Sequence, residues 1–260
     1  MSLSSPCDDL VIAARRGDVA CVKDIVENNP VINLSHKMND VCALHAACRQ
    51  GHHVVVSYLL SIKNIDVNQK TTGGWTPFMY CCVYGDLECA RRLIRDPRVD
   101  LNCPSTSGRT PLTEASCRGR TTLIKKWIIS GRELDLGDES NPKTDAIRRA
   151  KMWGKNKIAA LLEKYRQRRV ETIYVLRRKC GYYDRLAANV FAVVVFLSDG
   201  LLKMRDEEVR TPATRFLEIA NRLPMELQMV LSYTAAGCPG DIMSALLTEN
   251  AFLKLARKLQ

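Results

Sequence analysis

The side chains best suited to chemistry in this chain are its four histidines and eleven cysteines. No Cys-x-x-Cys pair occurs, and His36, His52 and His53 lack the spacing from a cysteine that a zinc site requires. Cys81 and Cys82 are adjacent, but neighbouring side chains on a helix point apart, so packing explains this pair better than redox chemistry. We therefore predict no metal, no cofactor and no catalytic residue.

Other enzyme signatures are absent from the sequence as well. No glycine-rich phosphate loop follows a strand pattern, and Gly-x-Ser-x-Gly does not occur. The cysteines are scattered, and no secretory signal precedes them, which favours a reducing compartment. The longest apolar run, residues 187–197, has about half the length of a membrane-spanning helix. We predict a non-enzymatic protein in the cytoplasm, with the nucleus as the alternative, and no membrane contact.

Positive charge is concentrated in one segment of the chain. Residues 143–179 contain 13 Lys and Arg against three Asp and Glu, and thus carry +10 of the formal net charge of +11. Clustered cations bind polyanions by releasing condensed counterions, so this segment is a candidate for nucleic-acid or other polyanion binding. The alternative is a solvated helix face. The small number of aromatic residues between the cations favours this alternative.

Five glycines divide the first 160 residues at an almost constant interval. They are separated by 34, 34, 34 and 35 residues and are Gly17, Gly51, Gly85, Gly119 and Gly154. Such regularity indicates a repeat architecture, in which each unit buries its apolar face against its neighbours. The sequence therefore predicts an all-α solenoid of about five helix-turn-helix units.

Each unit has the same internal pattern. A short first helix ends at the glycine, and a second helix with paired branched residues follows it. The residue seven positions before the glycine is apolar in four units, namely Leu10, Leu44, Phe78 and Leu112. Two first helices begin with Thr-Pro, at Thr76 and Thr110, where a proline suits the first helical turn.

These patterns resemble ankyrin repeats over about residues 8–165. The resemblance is fullest in residues 43–68 and 75–102, whereas the fifth copy has Arg148 at the position of the family's histidine. In that family the histidine, here His45, bonds the backbone of a turn, and exposed positions of the first helices line a groove that binds protein partners. The resemblance implies partner-binding residues at Arg49, Gln50, Tyr80, Val83, Tyr84, Glu114 and Arg118.

Four segments make up the predicted domain organisation. We expect a disordered N-terminus at residues 1–7, repeats at 8–165, a basic helical connector at 166–182 and a small α-helical domain at 183–260. Within the last segment, the sequence from Leu223 to Leu227 is similar to the opening of an F-box. Three functions follow: protein binding in the groove, recruitment of a ubiquitin-ligase subunit through the F-box-like segment, or polyanion binding through residues 143–179.

Overall fold

The computed structural model describes residues 5–141 and 143–182, together with Leu186, Val193 and Gln228. Within the ranges 5–141 and 143–182 every regular element is an α-helix. The helices are α1 Pro6–Arg16, α2 Val19–Asn28, α3 Ala43–Gln50, α4 His53–Ser61, α5 Pro77–Tyr84, α6 Leu87–Arg95, α7 Pro111–Cys117, α8 Thr121–Ser130, α9 Ala146–Met152, α10 Asn156–Gln167 and α11 Arg169–Lys179.

Helices α1 to α10 form five consecutive pairs, which confirms the predicted solenoid. The first helices pack in chain order, so that α1 contacts α3, α3 contacts α5, α5 contacts α7 and α7 contacts α9. The second helices α2, α4, α6 and α8 pack on one another in the same order. Two parallel rows of helices result, and each pair is stabilised by its neighbours in the chain.

The first helices begin where the Thr-Pro pattern predicts. The Thr76 hydroxyl accepts a hydrogen bond from the backbone N–H of Met79 at 3.3 Å, and Thr110 caps Thr113 at the same distance. A proline follows each threonine at the first helical position, where its missing N–H costs nothing. These caps fix the start of α5 and α7.

Gly85 shows why the turn between the two helices of a unit requires glycine. Its φ of +85° lies in the left-handed region, and a Cβ there would lie 2.6 Å from the guanidinium of Arg120 in the next unit. That guanidinium donates a hydrogen bond to the carbonyl of Val83 at 2.7 Å. The glycine therefore permits both the turn and the contact between units.

The core lies between the two rows of helices. Leu10, Leu44, Phe78 and Leu112 are buried, as their common position before the glycine predicts. The rings of Phe78 and Trp127 meet edge to face with centroids 5.0 Å apart, and so join the third unit to the fourth.

Asparagine side chains join successive units by hydrogen bonds to the backbone. The Asn68 side chain donates to the carbonyl of Arg98 at 2.8 Å and accepts from the backbone N–H of Asp100 at 2.7 Å. Asn102 makes the equivalent pair of bonds to Glu133 and Asp135 in the next unit. The asparagine that ends the second and the third unit thus satisfies backbone groups of the unit that follows.

The structure corrects the predicted N-terminal boundary. Helix α1 begins at Pro6, inside the segment that we predicted to be disordered, because Ser5 caps the backbone N–H of Asp8 and Pro6 occupies the first turn. The helical domain predicted at residues 183–260 lies outside the described ranges. Of the helices described, none is both long enough and apolar enough to span a membrane.

Candidate functional site

His45 is a structural residue of the third helix. Its Nε2 lies 3.0 Å from the carbonyl oxygen of Trp75, and its Nδ1 lies 3.4 Å from the backbone nitrogen of Cys42. Because Nδ1 accepts from that N–H, Nε2 carries the proton and donates to Trp75. Burial lowers the pKa of His45 to about 4, so the ring is neutral at pH 7 and ties the second unit to the third.

The adjacent cysteines Cys81 and Cys82 are both fully buried in α5. Burial raises the pKa of each thiol well above its ordinary value, which disfavours the thiolate that acts as a nucleophile or metal ligand. Within residues 5–141 and 143–182, no three His, Cys, Asp or Glu side chains are grouped as a metal site would require. These thiols fill space between the first helices.

Exposed and half-buried side chains recur at the same places in several first helices. They lie one, two or five positions before the glycine in units two to five, and we call this set the first-helix face. Its members, exposed or half-buried, are Arg49, Gln50, Tyr80, Tyr84, Arg118, Arg149, Met152 and Trp153.

An aromatic cluster lies at the centre of the first-helix face. The rings of Tyr80 and Tyr84 stack with centroids 6.1 Å apart, and the rings of Tyr80 and Trp75 meet edge to face at 5.4 Å. The guanidinium of Arg49, from the neighbouring unit, lies 5.6 Å from the centroid of the Tyr84 ring. Tyr84 is 46% exposed, and burial raises the pKa of Tyr80. The cluster holds its side chains in fixed positions yet leaves Tyr84 accessible.

Val83 does not belong to this surface, contrary to our prediction. Val83, two residues before the glycine, is only 5% exposed, and its side chain is part of the core. In the second unit the equivalent residue is Arg49, whose long side chain reaches solvent. The two residues occupy the same place in the repeat, but a short branched side chain there stays in the core.

Glu114 is also buried, and it cannot contact a partner directly as we had predicted. It is 3% exposed, and its two carboxylate oxygens are shared between two arginines. Arg109 lies 3.1 Å from one oxygen and Arg118 lies 3.6 Å from the other. The buried carboxylate therefore positions Arg118, which remains half exposed.

The fifth unit adds residues that the sequence prediction missed. Met152 and Trp153 are 67% and 60% exposed, and they occupy the same places before Gly154 that Val83 and Tyr84 occupy before Gly85. Arg149, five positions before the glycine, donates to the sulfur of Cys117 at 3.2 Å. The constant distance to the glycine was the signal that would have found them, but the fifth copy departs from the family pattern.

The first-helix face is basic. Among its members are three arginines and no acidic residue, and helices α3, α5, α7 and α9 contain one acidic residue in all, the buried Glu114. No acidic side chain of these helices therefore competes at the surface for the guanidinium groups. The face can attract negative charge and bury apolar groups at the same time.

A comparison with sequence models of protein families decides which repeat this is. The model described as Ankyrin repeats (3 copies) matches residues 10–104. Residues 10–104 are ankyrin repeats. The helix pairs α7/α8 and α9/α10 continue the same architecture beyond the matched residues. Ankyrin repeats are protein–protein interaction modules. The F-box-like segment at Leu223–Leu227 lies outside the residues that the structure describes.

Relatives with different names match similar shares of the chain. SMC5-SMC6 complex localization factor protein 1 of Homo sapiens is 36% identical over 121 residues, which are 44% of this chain and 11% of the relative. E3 ubiquitin-protein ligase XBAT33 of Arabidopsis thaliana is 30% identical over 123 residues, 47% of this chain and 24% of the relative. Palmitoyltransferase AKR1 of Lachancea kluyveri is 27% identical over 169 residues, and the match covers 48% of this chain and 23% of the relative.

The matches concern only part of each relative. The chain spans about a tenth of the length of the human relative and about a quarter of the other two. Ankyrin repeats are generally non-enzymatic, and the transferase name belongs to a protein of which most lies outside the match. The comparisons thus identify the repeats, and the surface of the repeats must indicate what this chain binds.

Proposed function

We propose that this protein is a non-enzymatic interaction module that binds a partner protein with its first-helix face. The observation that carries the proposal is the aromatic cluster of Trp75, Tyr80 and Tyr84 with Arg49 beside it. Tyrosine, tryptophan and arginine are the residue types enriched at the centres of protein interfaces. Large side chains that neighbours hold in place lose little conformational entropy on binding.

Photo-cross-linking tests this proposal. The photoreactive amino acid p-benzoylphenylalanine replaces Tyr84 in one version of the full chain and Val54 in another. Val54 is 52% exposed and lies on α4, a second helix, so it is a matched control on another surface. We expect a discrete cross-linked protein from position 84 in cell extracts and none from position 54. Cross-linking from position 54 alone would place the binding surface elsewhere.

A second candidate function is recruitment of a ubiquitin ligase. One relative is named an E3 ubiquitin-protein ligase, which supports a ubiquitin-related role for ankyrin repeats of this kind. The segment that would recruit the ligase subunit is the F-box-like sequence at Leu223, Pro224 and Leu227. Substituting these three residues should abolish co-purification of ligase subunits and leave cross-linking from position 84 intact. An unchanged set of ligase subunits would remove this function.

Polyanion binding through residues 143–179 is the third candidate function. Ion pairs made by two arginines of this segment argue against it. Arg166 pairs with Glu139 and lies 3.6 Å from Asp145, and Arg168 lies 3.3 Å from Glu171. These cations are already partly neutralised. Charge reversal of exposed Lys157 would test the function without breaking an ion pair, by the salt dependence of nucleic-acid binding. A slope unchanged by the substitution would exclude this segment.

We place this activity in the cytoplasm, with the nucleus as the alternative. All ten cysteines among the described residues are free thiols, and most of them are buried. Free thiols persist in reducing compartments, where glutathione and thioredoxin keep them reduced. A fluorescent fusion of the full chain, imaged in cells, distinguishes the two locations, and secretion into the medium would contradict both.

A further inference from the structure

We infer that the partner segment bound by the first-helix face is an acidic, extended stretch of about ten residues. This inference rests on the proposed function, and it adds the chemistry and conformation of the partner. Its basis is the placement of three arginines in a row with apolar side chains between and beyond them: Arg49, Arg118 and Arg149, then Tyr84, Met152 and Trp153.

Charge complementarity selects an acidic segment. The first-helix face has three guanidinium groups and no exposed carboxylate, and the one carboxylate beneath it, that of Glu114, is shared by Arg109 and Arg118. One buried charge between two arginines leaves a local excess of +1. A partner carboxylate at this place gains attraction from both guanidiniums.

The arginines of this face keep hydrogen-bond donors available. Arg49 is exposed, and its described contact is with the face of the Tyr84 ring, which uses none of its five N–H groups. Arg118 approaches Glu114 through Nε, and its side chain is 47% exposed. Guanidiniums held in place by a ring or a buried carboxylate can bind a partner carboxylate at a low entropic cost.

The repeat spacing sets the conformation of the partner. Packed helices lie about 8–10 Å apart, whereas an extended polyproline II chain advances about 3.1 Å per residue with about three residues per turn, so every third side chain faces the same side and matches successive units. The second to the fifth unit spans three such steps. An extended segment with carboxylates at positions 1 and 7 would contact Arg49 and Arg118. Apolar side chains at positions 4 and 10 would contact Tyr84 and Trp153.

A cationic partner is disfavoured by the same geometry. The face of Tyr84 that a lysine or methylated lysine would use is already covered by the guanidinium of Arg49, 5.6 Å from the ring centroid. A nucleic acid is disfavoured because it carries a phosphate at every nucleotide, whereas the arginines of this face alternate with apolar side chains. The carboxylate of Glu114 beneath Arg118 would also repel a phosphate. A sparse pattern of carboxylates suits this spacing better.

A displayed library of random twelve-residue peptides, selected against the full chain, tests the inference. We expect the enriched peptides to carry Asp or Glu six residues apart with apolar residues midway. Arg49→Glu should weaken their binding about tenfold, because it replaces an attraction by a repulsion. Arg95→Glu is the matched control: Arg95 is also exposed and lies in the last turn of its helix, but on α6. It should change the affinity less than about twofold.

Each alternative outcome has a distinct meaning. Neutral or basic peptides that lose binding with Tyr84→Ala would overturn the acidic inference and leave the proposed function standing. Peptides that are equally sensitive to Arg49→Glu and Arg95→Glu would show attraction to net charge alone, which also overturns it. An oligo-uridine RNA that binds more tightly than the selected peptides, and depends on Arg49, would assign the face to nucleic acid. If selection yields only peptides indifferent to Tyr84→Ala and Arg49→Glu, the inference fails, and cross-linking from position 84 separately decides the proposed function.

Discussion

Two sets of arginines differ in where their guanidinium N–H groups go. Arg98 donates to the carbonyls of Leu60, Ile62 and Lys63, and Arg132 donates to three carbonyls at the end of the third unit. Arg49 and Arg118, on the first-helix face, contact side chains only and keep donors free. The first set completes the ends of helices that would otherwise leave carbonyls unpaired. The second set can serve a partner.

The difference teaches that residue type does not assign a role in a repeat protein. All four arginines follow the end of a helix or lie near it, and all four are at least partly accessible. What separates them is the number of backbone carbonyls within reach. A surface arginine whose donors are used inside the fold contributes to stability, and one whose donors are free is available to a partner.

The largest effect is expected from Arg132→Ala. This substitution leaves the carbonyls of Ile94, Asp96 and Val99 without their donor, and it should lower the free energy of unfolding by about 3–4 kcal/mol. Urea unfolding at pH 7 measures the loss. Lys125→Ala, at an exposed position of α8, is the control and should change stability by less than about 0.5 kcal/mol. A loss of similar size in both variants would show that the carbonyl contacts of Arg132 add no specific stability.

A pH effect of about 3 kcal/mol is expected from His45, which lies one turn before Arg49 on α3. Its pKa is about 4 in the folded protein against 6.5 in an unfolded chain. The unfolded state therefore takes up a proton first, and stability from His45 falls as the pH decreases from 6.5 and is lost near 4. Urea unfolding between pH 7 and pH 4.5 should show a smaller decrease for His45→Gln than for the natural protein. Equal slopes would contradict the buried, neutral ring.

Tyr84→Ala should affect binding more than folding. Removal of an exposed ring at the centre of the cluster should weaken binding of a selected peptide by about tenfold to thirtyfold. Because Tyr84 is 46% exposed, the free energy of unfolding should fall by less than about 1 kcal/mol. Isothermal titration and urea unfolding of the same preparation measure both quantities. A large loss of stability with unchanged affinity would move Tyr84 to the structural set.

The smallest effect is expected from salt. An increase in ionic strength from about 0.05 to 0.3 M should weaken binding of an acidic peptide by a few-fold, since exposed charges are screened. Arg49→Ala should reduce that dependence, whereas Arg95→Ala should leave it unchanged. Fluorescence anisotropy over a salt series gives the slopes. Identical slopes in all three proteins would remove Arg49 from the contact.

The repeat frame was predictable from sequence because glycine, Thr-Pro and the apolar position depend on local conformation. Phe78 and Leu44 were placed in the core by their distance from a glycine, and both are buried. The surface was less predictable, since exposure also depends on side-chain length and on neighbouring units. Val83 was misplaced because it is too short to leave the core. Glu114 was misplaced because Arg109, from the preceding turn, holds it beneath the surface.

Parallel measurement of stability and peptide affinity in Arg49→Ala and Arg98→Ala tests most directly whether the two sets of arginines differ in role. The peptide is one selected by display, and affinity is measured at a temperature where both variants are fully folded. We predict that Arg49→Ala loses affinity and keeps its free energy of unfolding, and that Arg98→Ala does the opposite. Loss of affinity in Arg98→Ala, with Arg49→Ala unaffected, would contradict the account.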